Sequence, residues 1–244
     1  MKALFIGAHN DDCEFNAGGV AALLKQNGCD IKFINLASIW HGKDIPESTR
    51  REWEQQEIES AKILGAEKIQ TADRYSGLYM GNDEEVKKLA RFIVDYSPDI
   101  CFIHWPNDNH IEHREVAKVS EKALCLAHVW GSKVKEIYAF EAGSDQTSDF
   151  FKPDFFIIID DCLEILHKSL MCYDQNTAQG PGLCHYKDML ALFRGSQCLK
   201  KYAEGFKIVK YPNGNDDFLL KGILNDYFRW SGNGMYPAGG YEYF

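Results

Sequence analysis

Residues 2–19 decide the fold, and they read KALFIGAHNDDCEFNAGG. The run from Ala3 to Ala8 is short and apolar, as is typical of a central parallel strand that is buried on both faces. His9 and the adjacent carboxylates of Asp11 and Asp12 follow where that strand should end. Open α/β sheets bind ligands at the carboxyl ends of their strands. This stretch therefore predicts a strand, then a loop with side chains suited to a metal, then a helix.

A second cluster of the same kind lies about a hundred residues later. Residues 108–113 read DNHIEH and follow another apolar run, at residues 100–104, after three intervening residues. Two loops that each follow a parallel strand can meet at one edge of the sheet. We therefore expect the two clusters to form one metal-type hydrolytic pocket.

The rest of the chain alternates in the same way between short apolar runs and segments with helical spacing. The pattern predicts strands at residues 2–7, 31–36, 100–104, 135–140 and 155–159, and helices at residues 16–27, 45–65, 83–96, 113–127, 162–171 and 187–203. This alternation indicates an α/β fold, a Rossmann-like and mostly parallel sheet flanked by helices on both faces.

Length and composition predict one large domain over residues 1–212 of the 244. Residues 213–244 are rich in aromatic side chains, and we expect an appendage that packs on the domain or at a subunit interface of a homo-oligomer. The 36 acidic residues exceed the 27 Lys and Arg and leave a net charge of −9. That charge argues against nucleic acid and anionic membranes as partners.

The eight cysteines include no Cys-x-x-Cys pair, which favours a reducing cytoplasmic location. The sequence has no apolar run of about 18 residues, so a membrane span is not expected. Gly7 is not followed by the other glycines of a dinucleotide-binding fingerprint. The Gly-x-Ser-x-Gly turn of many serine hydrolases is missing as well.

Together these residues resemble the LmbE-like or PIG-L-like family of zinc-dependent N-acetylglucosamine deacetylases. The first family motif is Ala-His-Pro-Asp-Asp, an acid and Gly-Gly, which residues 8–19 match with Asn10 in place of proline. The second motif is an Asp followed by His-Pro-Asp-His, matched in residues 108–113 with Ile111 and Glu112 as replacements. Similarity continues at residues 168–175, 194–195 and 202–206, and so covers roughly residues 2–210.

The resemblance implies a role for each residue of the two clusters. His9, Asp12 and His113 would bind zinc or another divalent ion such as Fe²⁺, and Asp11 would act as the general base. His110 would stabilise the oxyanion or protonate the departing amine. Glu112 would orient His110, Asp108 would do likewise or contact substrate, and Arg51 would contact the sugar.

Simpler interpretations remain open for several of these residues. Asp11 or Asp12 could only cap a helix, and Arg51 could only form a surface ion pair with Glu54. The remaining histidines are expected to be structural: His41, His104, His128, His167 and His185. Residues 40–43 are a further candidate wall of the substrate pocket.

The sequence thus predicts a metal-dependent hydrolase that removes the N-acetyl group from an N-acetylglucosamine-type sugar or its small conjugate. Two alternatives are a hydrolase of another small amide or ester, and a non-catalytic carbohydrate-binding protein with the same fold.

Overall fold

The computed structural model describes residues 1–37, 45–71, 78–142, 151–173, 179–210 and 218–231. The strands in these ranges are β1 (Lys2–Gly7), β2 (Asp30–Asn35), β3 (Glu67–Ile69), β4 (Ile100–His104), β5 (Glu136–Phe140), β6 (Phe155–Ile158), β7 (Ala203–Lys210) and β8 (Phe228–Trp230). The helices are α1 (Asp12–Gln26), α2 (Glu47–Ile63), α3 (Asp83–Tyr96), α4 (Ile111–Val129), α5 (Leu163–Leu170), α6 (Gln179–Gln197) and α7 (Leu219–Ile223).

The strands form one sheet in the order β3-β2-β1-β4-β5-β7-β6-β8. From β3 to β5 all neighbours are parallel. The pairings of β7 with β5, of β6 with β7 and of β8 with β6 are antiparallel. Ile6 of β1 is in register with Ile103 of β4, so the carboxyl ends of these two strands lie side by side. The predicted α/β fold is confirmed, with an antiparallel extension along one side of the sheet.

Helices cover both faces of this sheet because successive strand residues point to opposite sides. Ala3 and Phe5 pack in a core that contains the apolar residues of α1, α5 and α6. Leu4 and Ile6 pack in a second core with α3 and α4. β1 is therefore buried on both faces, and the loop that follows it begins at a strand in the centre of the fold.

The glycine pair of the first motif allows α1 to pack closely. The helix is interrupted at Ala17, whose φ of −140° is not helical. A Cβ atom on Gly19 would lie 2.5 Å from Cγ2 of Ile159, closer than side chains pack. The amides of Gly19 and Val20, which restart the helix, donate to the carboxylate of Glu204 at 2.9 and 2.8 Å. Glycine is needed here for packing.

The predicted helix over residues 187–203 was wrong at both ends. α6 begins at Gln179 and ends at Gln197, and residues 203–210 form β7 instead. Leu199 adopts a left-handed φ of 57°, and the amide of Lys200 donates back to the carbonyl of Gly195. This turn reverses the chain and sends it back into the sheet.

Residues 218–231 pack on the same domain. Phe218, Leu220, Leu224 and Phe228 are buried in the core that contains α1, and β8 pairs with β6. The domain boundary at residue 212 stays a prediction. Most of the aromatic residues expected to cap the pocket or an interface, Tyr236, Tyr241, Tyr243 and Phe244, lie outside the described residues.

A search of the described helices found none with the length and apolar character that a membrane crossing requires. All eight cysteines carry free thiols.

Candidate metal centre

The loop after β1 turns the carboxylate of Asp12 back over the strand end. Asp12 Oδ2 accepts hydrogen bonds from the amides of Ala8 at 2.9 Å and His9 at 2.7 Å. Asp11 occupies the N-cap position of α1, but its side chain makes no capping hydrogen bond. Capping therefore does not account for either carboxylate.

Two buried side chains, Lys68 and Tyr173, support this loop by hydrogen bonds to its backbone. The carbonyl of Asn10, the residue that replaces the family proline, accepts from Lys68 Nζ at 3.3 Å and from the hydroxyl of Tyr173. Lys68 also pairs with Glu14 Oε1 at 3.0 Å, and both side chains are fully buried. Sequence reasoning did not find this support, because Lys68 and Tyr173 lie far along the chain and belong to neither motif.

The second cluster forms the N-terminus of α4. His110 is the N-cap residue, and its Nδ1 accepts from the amide of Glu112 at 3.3 Å. Asp108 is completely buried. Its Oδ1 accepts from the amide of His110 at 2.7 Å, and its Oδ2 lies 3.0 Å from His113 Nδ1. Asp108 thus fixes the loop and the ring of His113 together.

The two clusters meet at the three side chains that the resemblance assigns to the metal. His9 Nδ1 lies 3.1 Å from His113 Nε2 and 3.7 Å from Asp12 Oδ2, and His113 Nε2 lies 3.5 Å from Asp12 Oδ1. Ligand atoms of a tetrahedral zinc site with bonds of 2.0–2.2 Å are about 3.3–3.6 Å apart. The observed separations of 3.1 to 3.7 Å lie close to this range, with Oδ2 of Asp12 the oxygen measured from His9 and Oδ1 the one measured from His113, so these side chains can approach one shared cation.

The carboxylates behind the imidazoles give a second reason to place a cation there. Glu112 Oε2 lies 2.8 Å from His9 Nε2, and Asp108 lies against His113 Nδ1. A carboxylate only accepts hydrogen bonds, so these two ring nitrogens carry the protons. When each ring carries only that one proton, the two nitrogens that face each other both present lone pairs, as two ligands of one cation do. This is the arrangement that outer carboxylates impose on histidine ligands of metals.

Glu112 occupies a different place from the one expected. Its carboxylate contacts His9 rather than His110, and Oε1 accepts from the amide of Tyr79 at 2.7 Å. Residues two apart on a helix do not face each other, which explains why Glu112 turns away from His110.

The two residues proposed to contact substrate, Asp108 and Arg51, are placed differently. Asp108 is buried and its carboxylate is engaged by His110 and His113. The side chain of Arg51 is 75% exposed and pairs with Glu47 one turn earlier on α2 rather than with Glu54. Residues 40–43 lie outside the described residues.

The surroundings separate the two neighbouring carboxylic acids. Desolvation, and then the charge of Asp12, raise the pKa of Asp11 to about 6. Burial also acts on Asp12, but the imidazoles of His113 and His104 outweigh it and lower its pKa well below the usual value. Asp12 is therefore always anionic near neutral pH, while Asp11 can exchange a proton there.

The histidines at the centre also differ. Burial, and then the neighbouring imidazoles of His9 and His113, lower the pKa of His110 to about 4. Its ring is thus neutral at pH 7, and because Nδ1 accepts from a backbone amide, Nε2 carries the proton. His110 can donate one hydrogen bond into the pocket.

His104, which the sequence analysis assigned to a structural role, lies at the centre. It is the last residue of β4, and its Nε2 lies 2.9 Å from Asp12 Oδ2. Its position at the carboxyl end of a predicted strand was the available signal.

The molecule is therefore an α/β protein whose histidines and carboxylates gather at the ends of β1 and β4 in a cluster that can hold a metal ion. The family model described as PIG-L, GlcNAc-PI de-N-acetylase, matches residues 4–124. The chain belongs to this PIG-L, LmbE-like family.

Individual relatives extend the similarity beyond residue 124. The diacetylchitobiose deacetylase of Thermococcus kodakarensis is 26% identical over 222 residues, which cover 85% of this chain and 83% of the relative. The 4-oxalmesaconate hydratase of Pseudomonas putida is 24% identical over 235 residues, 85% of this chain and 89% of the relative. A crystal structure of the 4-carboxy-2-hydroxymuconate hydratase from Pseudomonas putida KT2440 superposes with a TM-score of 0.73 at 21% identity, and covers 89% of this chain and 99% of that one. This superposition shows a shared fold.

Proposed function

We propose that this protein is a metal-dependent deacetylase that hydrolyses the N-acetyl group of an N-acetylglucosamine-type sugar or its small conjugate. The main support is the approach of His9 Nδ1, His113 Nε2 and the carboxylate of Asp12 to within 3.1–3.7 Å of one another, with Asp11 beside them as a base of suitable pKa. The similarity to a diacetylchitobiose deacetylase supports the choice of substrate.

The metal in this proposal is zinc, held by His9, Asp12 and His113, although the same donors also accept Fe²⁺. When bound, zinc polarises the acetamide carbonyl and makes water more acidic.

The side chains of this chain then have separate tasks. Asp11 accepts a proton from the water that attacks the carbonyl carbon. The Nε2–H of His110 donates to the carbonyl oxygen as negative charge develops on it. The C–N bond breaks, and the proton held by Asp11 passes to the departing nitrogen, which leaves acetate and a free amine. His110 serves as a hydrogen-bond donor, since a ring with a pKa of about 4 has no second proton to give at pH 7.

The proposal is tested with zinc-loaded protein and a panel of N-acetylated sugars, including diacetylchitobiose, by assay of acetate and free amine. Asp11→Asn should lower kcat by about 10²–10⁴-fold while the bound zinc is retained, since general-base catalysis contributes that much. Asp95→Asn, on the exposed side of α3, is the matched control and should leave kcat unchanged. No product from any sugar with zinc bound would refute the proposal.

A second candidate is a hydratase, because one relative that matches along most of its length is named 4-oxalmesaconate hydratase. The same base could deliver water to a carbon–carbon double bond. Loss of ultraviolet absorbance from an unsaturated dicarboxylate, without acetate from any sugar, would favour this candidate. Hydrolysis of another amide or ester and sugar binding without turnover are the remaining alternatives, and the same panel separates them.

We also propose that the protein forms homo-oligomers in the cytoplasm. Free thiols throughout fit a reducing compartment. On α6, Tyr186, Met189, Leu192 and Phe193 are each more than half exposed, whereas Lys187 and Arg194 of the same helix are buried. Apolar surface of this kind is typical of a subunit interface, and a second copy of the chain would cover it.

A further inference from the structure

We propose that His104 is a positioning residue that turns Asp12 so that a single oxygen, Oδ1, faces the metal. The inference rests on the proposed metal centre and adds a residue to it that belongs to neither sequence motif.

The position of His104 is fixed by its burial and by two neighbouring rings. The residue is fully buried at the end of β4. Its ring stacks on that of His113, with centroids 4.4 Å apart and an interplanar angle of 13°, and it meets the ring of Phe140 edge-on at 4.7 Å. A ring packed in this way cannot turn its Nε2 away from Asp12 without displacing a proposed ligand.

The contact with Asp12 completes the hydrogen bonding of one carboxylate oxygen. Oδ2 already accepts from the amides of Ala8 and His9, and His104 Nε2 at 2.9 Å is the third donor. The amide of Ala8 also lies 3.1 Å from His104 Nε2, but its distance to the charged carboxylate is shorter, 2.9 Å. Because a carboxylate oxygen only accepts, the proton between His104 and Asp12 lies on Nε2, and the amide of Ala8 then donates to Oδ2.

An oxygen with three donors has little capacity left for a cation. Oδ1 is the other oxygen, and it lies 3.5 Å from His113 Nε2, within the spacing of ligands around zinc. Without His104 the carboxylate could rotate about its last torsion and offer either oxygen. His104 thus determines which oxygen of Asp12 faces the metal and keeps it oriented. Residues that hydrogen-bond to metal ligands commonly have this role.

A competing role for His104 is direct ligation. Ligand atoms of Asp12, His104 and His113 also lie within 4.8 Å of one another. The two roles need opposite properties from the side chain, because positioning requires an N–H donor and ligation requires a lone pair on nitrogen. Glutamine places an N–H close to the position of Nε2 but is a poor zinc ligand.

The test measures zinc affinity by competition with a chelating dye, in the absence of substrate, for the wild type and three variants. His104→Gln should bind zinc within about three-fold of the wild type, and His104→Leu should lose about 10–100-fold, the usual effect of removing an outer partner of a ligand. Phe155→Leu removes a fully buried ring of β6 that does not pack on His104, and it should leave the affinity unchanged even if it lowers the Tm. Should the leucine variant not fold, His104→Asn, with its donor withdrawn by one methylene, replaces it with the same expected loss.

The visible spectrum of the Co²⁺-loaded protein gives a second readout that a purely structural role would not move. His104→Leu should shift the bands, because the carboxylate of Asp12 is no longer held with Oδ1 toward the metal, whereas His104→Gln should keep the wild-type band positions. Wild-type affinity in His104→Leu would overturn the proposal, and so would equal loss in the glutamine and leucine variants, which would assign His104 as a ligand. Neither outcome depends on whether the protein deacetylates sugars.

Discussion

Asp11 and Asp12 are identical neighbours in the sequence, yet their surroundings give them opposite proton affinities. The carboxylate of Asp12 accepts hydrogen bonds from backbone amides and lies beside imidazoles, so it stays ionised. Asp11 is desolvated and lies beside the negative charge of Asp12. A pair of acids whose pKa values are separated by environment is a recurrent feature of catalytic sites. The difference supports the proposed division between a ligand and a base.

We predict that kcat/KM falls at acidic pH because Asp11 must be deprotonated to accept a proton. Its pKa is about 6 in the protein without metal, and a nearby cation lowers the pKa of a carboxylic acid. The acid limb of a pH profile measured with zinc-loaded protein should therefore have its midpoint at about 6 or lower. A limb centred above pH 7 would contradict the assignment of Asp11.

At this scale the sequence predicted which side chains gather but not how they support one another. His9, Asp12 and His113 came from motifs that are local in the sequence. The partners behind them join residues far apart, such as His9 with Glu112 and Asp12 with His104. These contacts depend on the register of β1 with β4, which the motifs do not specify.

Elements with a clear pattern and clear ends were predicted well. β1, α3 and β4 have the expected bounds, because the two strands are apolar except for Lys2 and His104 at their ends and Asn82 caps the helix with a reciprocal bond to Glu85. β7 was missed because it follows a helix with only a short turn between them. β3 has three residues, too few for a period to emerge.

Gly19→Ala should destabilise the fold. The added methyl group would lie 2.5 Å from Ile159 Cγ2 and 3.0 Å from Glu204 Oε1, and overpacking of this kind costs about 1–3 kcal/mol. Urea unfolding measures the change. Gly222→Ala in α7 is the matched control, since nothing lies within 4 Å of the new atom, and it should be neutral or stabilising. Equal effects of the two changes would argue against close packing at Gly19.

Tyr173→Phe should loosen the loop that carries His9 and Asp12. It removes a buried hydroxyl that donates to the carbonyl of Asn10, and loss of a buried hydrogen bond costs about 1–3 kcal/mol. We expect a lower free energy of unfolding together with weaker zinc binding. Tyr227→Phe, whose hydroxyl contacts Asp161 at an exposed site, is the control. Unchanged zinc affinity in Tyr173→Phe would show that Lys68 alone holds the loop.

At the scale of the whole molecule, α6 exposes four large apolar side chains, Tyr186, Met189, Leu192 and Phe193. If a second copy covers α6, Phe193→Glu should reduce the mass measured by light scattering during size-exclusion chromatography, because a buried unpaired charge is costly. Glu121→Gln, at an exposed position on α4, should not change the mass. A wild-type protein that is monomeric at micromolar concentration would refute this prediction.

The short strand β8 is the last strand on its side of the sheet, and it shields β6. β6 consists of Phe155, Phe156, Ile157 and Ile158, all buried. A shortened chain that ends near residue 217 would leave this strand with a bare row of amide and carbonyl groups between apolar side chains. An exposed edge strand of this kind pairs with strands of other molecules. We therefore expect that removing the C-terminal segment that carries β8, for example to aid crystallisation, would yield aggregates.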